Sequence, residues 1–157
     1  MYFWNTKALA QELSANTLNK KHYKNYYLMT ALLITLVYYY GMYSPYSELN
    51  IIGFEGVSTL TIIFIGIHCA YKANGGDEGQ HFLERMTALS FPILVQNTTA
   101  GVAFGFLMVG LYFGLNLEGT AFDTWFEWSI SLFTVILQIL FFTRLRFYMK
   151  AVAIDRS

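Results

Sequence analysis

At 157 residues the chain is one domain long, and 55% of it is hydrophobic while only 13% is charged, about half the charged share of an ordinary soluble domain. A water-soluble fold of this size has too little polar side chain to cover so much apolar surface, so the composition points to a lipid environment. The formal net charge is zero, which removes the electrostatic case for a nucleic-acid partner.

The single cysteine, Cys69, excludes an intrachain disulfide framework and a cysteine metal cluster. The N-terminal stretch is polar with scattered apolar positions and has no small-residue cleavage site, so it does not read as a cleavable signal peptide. Within it, Ala8, Leu9, Glu12 and Leu13 recur at helical spacing after Tyr2-Phe3-Trp4. This predicts a short amphipathic helix over about residues 5–17, lying on the inner membrane surface or against a partner.

Four apolar stretches follow, each near the ~20 residues that a helix needs to cross a bilayer. The first runs over about residues 26–43, holds no charge, and stops at Ser44-Pro45, since proline cannot continue a helix. The second covers about 51–71, with Glu55 near its start and His68 near its end. A loop over about 72–87 contains Asn74-Gly75-Gly76-Asp77-Glu78-Gly79, whose glycines allow the backbone to turn. Phe82, Leu83, Met86 and Leu89 then recur at helical spacing, so the third helix begins before its apolar stretch at about 88–115. The fourth stretch covers about 125–143 and is closed by Arg144 and Arg146. The expected fold is an all-α membrane protein, a four-helix antiparallel bundle in a single membrane domain with an N-terminal interfacial helix.

All ten basic residues fall before the first stretch, in the loop between the second and third, or after the fourth. The opposite side carries Glu48, Glu55, Glu118, Asp123 and Glu127 and no Lys or Arg. The positive-inside rule therefore predicts both termini in the cytoplasm. Tyr and Trp are grouped at both ends of the spans, with Tyr38, Tyr39, Tyr40, Tyr43, Trp125 and Trp128 on the acidic side, as interfacial belts require. The absence of a targeting signal and the sparse cysteine point to a bacterial inner membrane.

Three sets of residues carry the functional expectations. Glu55, Asp123 and Glu127 would form an outer acidic mouth that concentrates cations, or simply an outer face solvated by water. His68, Gln96, Asn97 and Gln138 would form a polar layer in the inner half of the bilayer. At ~1.5 Å per residue, Gln96 and Asn97 fall roughly 11–13 Å inside the third span and Gln138 about 9 Å from Arg144. Such a layer either locks helices by hydrogen bonds or lines a hydrophilic path. Gly101 with Gly105, and Gly110 with Gly114, are small-residue pairs on opposite faces of one helix, suited to packing within the chain and against a second copy. Trp4, Leu9, Leu13, Phe82 and Arg85 are expected to dock a cytoplasmic protein.

No catalytic pattern is present: HExxH, a P-loop and an EF-hand are missing, and no Ser/His/Asp or Cys/His arrangement falls at a credible depth. A membrane haem needs two facing histidines, and His68 has no second one at its depth. No cofactor and no metal is expected. The span count is similar to that of many small bacterial membrane proteins, holin-like, immunity and phage-defence components among them, but no motif is shared and no residue role carries over. The expectation is a small homo-oligomeric, non-enzymatic membrane protein that forms or gates a cation-permeable path. Its rival is a non-catalytic membrane subunit or anchor, for example of a bacterial defence, immunity or sensing complex, that recruits a cytoplasmic partner.

Overall fold

A computed structural model describes residues 2–15, 17–18, 20–42, 49–114 and 120–154. Within them the chain is all helical: α1 (Thr6–Ser14), α2 (Lys20–Met42), α3 (Leu49–Ala73), α4 (Phe82–Gly114) and α5 (Thr120–Ile154). Tyr43, Ser44, Pro45, Glu48, Leu115, Glu118 and Arg156 lie outside the described residues, as do the side chains of Lys20, Lys21, Tyr38, Tyr39 and Tyr40.

Three helices are long and apolar enough to cross a membrane: Leu49–Ala73, Phe82–Gly114 and Asp123–Ala153. Their outward faces carry large apolar side chains, among them Leu60, Phe64, Phe106 and Phe113, each at least 70% exposed. Contiguous surface of this kind belongs in lipid rather than water. The helix α2 is less apolar, because Lys20, Lys21, His22 and Lys24 occupy its first turns and tyrosines are frequent along it.

The helices form a row in which α4 and α5 are central, α2 flanks α4, and α3 flanks α5. Among the described residues, α2 and α3 make no comparable contact with each other, although they are neighbours in the chain. The physical reason lies on α5, which has two working faces. Phe133 stacks on Phe104 of α4, with ring centroids 3.8 Å apart. Trp128 meets Phe54 of α3 at 5.4 Å. Five residues of helix separate these two side chains by more than a third of a turn, so α3 and α4 sit on different sides of α5. The expected bundle is thus laid out as a row, with no axis enclosed by all four long helices.

The best-packed region is one end of this row, here called the basic end. Leu9, Leu13, Tyr26, Ala70, Leu89, Phe91, Leu145, Met149 and Val152 are at most 2% exposed and form one cluster there. The helix α1 contributes Thr6, Leu9, Ala10 and Leu13 to it, positions three and four apart that make a single stripe. Asn5 starts this helix, its side chain accepting from the Ala8 amide at 3.0 Å, which satisfies one of the orphan N–H groups of the first turn. The apolar stripe of α1 is therefore used inside the chain, against α4 and α5, instead of lying free on a membrane surface.

The α3–α4 turn is set by two glycines with left-handed backbone, Gly75 at φ 104° and Gly76 at φ 59°. Asn74, 2% exposed, holds the turn: its Nδ2 donates to the Gln80 carbonyl at 3.2 Å, and its Oδ1 accepts from Arg85 Nη1 at 2.8 Å. Gly79 lies so close to Asn74 that no Cβ fits there. Two further residues on from this turn α4 starts at Phe82, well before its apolar stretch, as the spacing of Phe82, Met86 and Leu89 predicts.

Candidate functional site

The polar residues of the spans gather along two seams, and the more unusual is that between α3 and α5. The two helices run parallel, since Phe54 meets Trp128 and, further along both, Gly66 meets Phe142. Between these points Gln138 donates from Nε2 to Thr59 Oγ1 at 3.0 Å, tying α5 to α3. On α5, Glu127, Ser131 and Gln138 are spaced by four and seven residues and share one stripe. On α3, Glu55 and Thr59 are four apart and share another.

This seam holds a run of oxygens without donors. Glu127 Oε2, Ser131 Oγ and Gln138 Oε1 are all buried and have no hydrogen-bond partner among the described residues. Ser131 is 1% exposed, so water on the surface does not serve it. A buried acceptor left unpaired costs about 1–3 kcal/mol, and three on one stripe is more than ordinary packing leaves behind. No Lys or Arg occurs over residues 49–71 of α3 or 120–138 of α5 to satisfy them. Beyond Gln138 the seam closes, because the Phe142 ring occupies the space where a side chain on Gly66 would be.

The three acids expected at a mouth do not converge. Glu55 and Glu127 are half-buried on α3 and α5, whereas Asp123 is exposed and accepts from Tyr112 Oη of α4 at 3.3 Å. Among the described residues no group of three or more His, Cys, Asp or Glu is placed to hold a metal ion.

The expected polar layer is also divided. Asn97 donates from Nδ2 to the Leu137 carbonyl at 2.8 Å and locks α4 to α5. Gln96, one residue earlier, donates instead to the Trp4 carbonyl at 2.5 Å and holds the N-terminal segment. His68 is exposed on α3 and joins none of them. One layer is not formed because Gln96 and Asn97 are adjacent on a helix and so point about 100° apart.

Among the described residues, only Gly101 of the four spaced glycines is packed, with Leu137 Cδ1 3.5 Å from where its Cβ would lie; Gly105, Gly110 and Gly114 meet no described neighbour. The close approach is at Gly66 instead. The expected docking set is largely internal: Leu9 and Leu13 are core residues, and Arg85 is 3% exposed. Phe82 packs edge-on against Tyr71 with centroids 5.4 Å apart, while Trp4 remains 58% exposed. Leu9, Leu13 and Arg85 turned inward because their helices bury these faces against each other. The seam residues Thr59 and Ser131 were not singled out from the sequence. The signal for Ser131 was its spacing from Glu127 and Gln138; for Thr59 it was the spacing from Glu55.

Comparison of the chain with protein-family models, with curated proteins and with solved structures found no match. The functional reading rests on the geometry alone.

Proposed function

We propose that the protein crosses the bacterial inner membrane four times, with both termini cytoplasmic, and takes a cation from the acidic side into the α3–α5 seam, as an oligomer that forms or gates a cation path. The observation that carries this reading is the stripe of unpartnered buried oxygens at Glu127, Ser131 and Gln138. Acceptor oxygens with carboxylates beside them, and no cationic side chain in reach, call for a mobile positive charge. A proton on Glu127 would neutralise one carboxylate but would leave the carbonyl of Gln138 without a donor. Glu127, Ser131 and Gln138 are spread over ~16 Å of helix, so a cation moving along the seam would meet these oxygens in succession.

Two further features support the reading. The helix α2 starts beside Phe91 of α4, at the basic end, and α3 starts at the other end beside Trp128. The chain has α2 and six more residues in which to cross between them, which supports a fourth crossing and agrees with the loop charges that the positive-inside rule expects. The contact of Phe142 with Gly66 acts as the inner closure of the seam, and the open glycines of α4 leave room for a second copy. The rival reading, an anchor for a cytoplasmic partner, loses the apolar face of α1, which the core of the chain consumes.

The test is cation flux into proteoliposomes. Glu127→Gln with Ser131→Ala lowers flux by about tenfold or more, on the scale of two lost charge-assisted contacts. Phe142→Ala raises it by opening the closure. Unchanged flux in both variants sinks the cation reading.

A further inference from the structure

At the basic end the N-terminal segment borders an open, shallow cavity of about 480 Å³, with Trp4 to Lys7 on one side and Gln96, Arg144 and Tyr148 on the other. Its lining has two cations and no carboxylate. Among the described residues the sole ion pair is His81 with Glu84, so neither Lys7 nor Arg144 is neutralised. The Thr6 side chain lines the same cavity, is 2% exposed, and has a buried hydroxyl with no hydrogen-bond partner. The nine-residue helix α1 begins here; its Thr6 amide donates to the Trp4 carbonyl and its Ala8 amide to Asn5 Oδ1, so it offers the partial positive charge of a helix start and not a set of free donors.

Two cations, an unused hydroxyl donor and a helix N-terminus together suit an anion with several oxygens in a tetrahedral array. Arginine in particular matches phosphate oxygens with paired N–H groups. The level of the cavity identifies its surroundings. From Trp125 to Arg144 the helix α5 rises ~28 Å, close to the ~30 Å of a hydrocarbon core. Arg144 and the cavity are therefore at the height of the phospholipid headgroups. Phe3 and Trp4, 50% and 58% exposed, stand at the rim, where aromatic rings favour the interface.

We infer that this cavity binds a phosphate group, held by Lys7, Arg144 and the Thr6 hydroxyl at the first turn of α1. The phosphate belongs either to the headgroup of an anionic phospholipid or to free phosphate, and both use the same contacts. The site is separate from the α3–α5 seam, so its test does not depend on cation flux.

Native mass spectrometry of the full chain in detergent, with phosphatidylglycerol, diacylglycerol or inorganic phosphate added, decides the matter. The expected result is retention of phosphatidylglycerol and not of diacylglycerol. Lys7→Gln with Arg144→Gln weakens that retention about tenfold or more, whereas Lys24→Gln with Lys150→Gln leaves it unchanged. Thr6→Val keeps the shape of the side chain, removes the donor and weakens retention severalfold; it carries the comparison if the double variant does not fold. Displacement of the lipid by inorganic phosphate identifies free phosphate as the occupant, and no displacement identifies the headgroup. Equal retention by the wild type and these site variants overturns the inference, as does equal retention of diacylglycerol or binding of neither phosphate compound.

Discussion

Gly66 is the residue on which the α3–α5 contact turns, because the Phe142 ring fills the volume its side chain would need. Gly66→Val forces those helices apart and should lower stability by about 1–3 kcal/mol, the usual cost of overpacking. Pairing a smaller change, Gly66→Ala, with Phe142→Leu should restore much of the loss; thermal unfolding in detergent reads both. At the opposite end of the chain, Tyr2 Oη donates to Glu12 Oε1 at 2.8 Å and its amide donates to Tyr26 Oη at 2.7 Å. The hydrogen bond to Glu12, with a smaller contribution from desolvation, raises the Tyr2 phenol above its ordinary value of 10.0. The neutral phenol is the form the fold favours, so this tether is intact below pH ~10 and is lost as pH rises through the raised value. An ultraviolet tyrosinate titration of Tyr2→Phe should lose one tyrosine's share of the late-titrating portion seen in the wild type. Unaltered titration would show that the Tyr2 tether does not form.

At the scale of elements, α1 behaves as part of the core. Leu9 is fully buried, and Leu9→Ala should cost about 2–5 kcal/mol, as for other buried leucines. A surface-lying helix would lose little by the same change, so chemical unfolding separates the two descriptions. The locks between spans contribute less: Asn97→Leu, which removes the bond to the Leu137 carbonyl, should cost about 0.6–2 kcal/mol. The turn between α3 and α4 was legible from Gly75 and Gly76, because φ angles of 104° and 59° are ones that glycine adopts without strain. Arg85 was misjudged for a reason internal to helices. Its charge suggests exposure, but it follows Phe82 by one turn, on the same face, and that face packs inward with Asn74 as acceptor.

For the whole molecule, charge and packing divide along one axis. The apolar middles of α3, α4 and α5 turn large side chains outward, while the tight core of α1, Tyr26, Phe91 and Met149 lies at the basic end. In the four-crossing reading that core is a small water-facing base beneath the membrane, which explains why its polar residues Asn74 and Arg85 are buried and paired. Single cysteines placed in a Cys69→Ser background test the orientation. Lys150→Cys should be labelled by impermeant maleimide only after the membrane is opened, and Asn50→Cys from outside intact cells. Labelling of both from the same side would exclude the four-crossing topology.

Composition, period and charge bias by themselves gave a helical chain with four apolar stretches, polarised from end to end, and three of those stretches form helices long and apolar enough to cross a membrane, because such features depend on local sequence and on the solvent each residue can tolerate. Which polar residues meet depended on rotation and level of one helix against another. Gln96 and Asn97 are adjacent in sequence yet bond to different elements, and Thr59 finds Gln138 across 79 positions. The cavity of Lys7, Thr6 and Arg144 likewise exists only because α1 folds back on α5. No local pattern encodes such a contact, since burying the stripe of α1 is what brings those residues together.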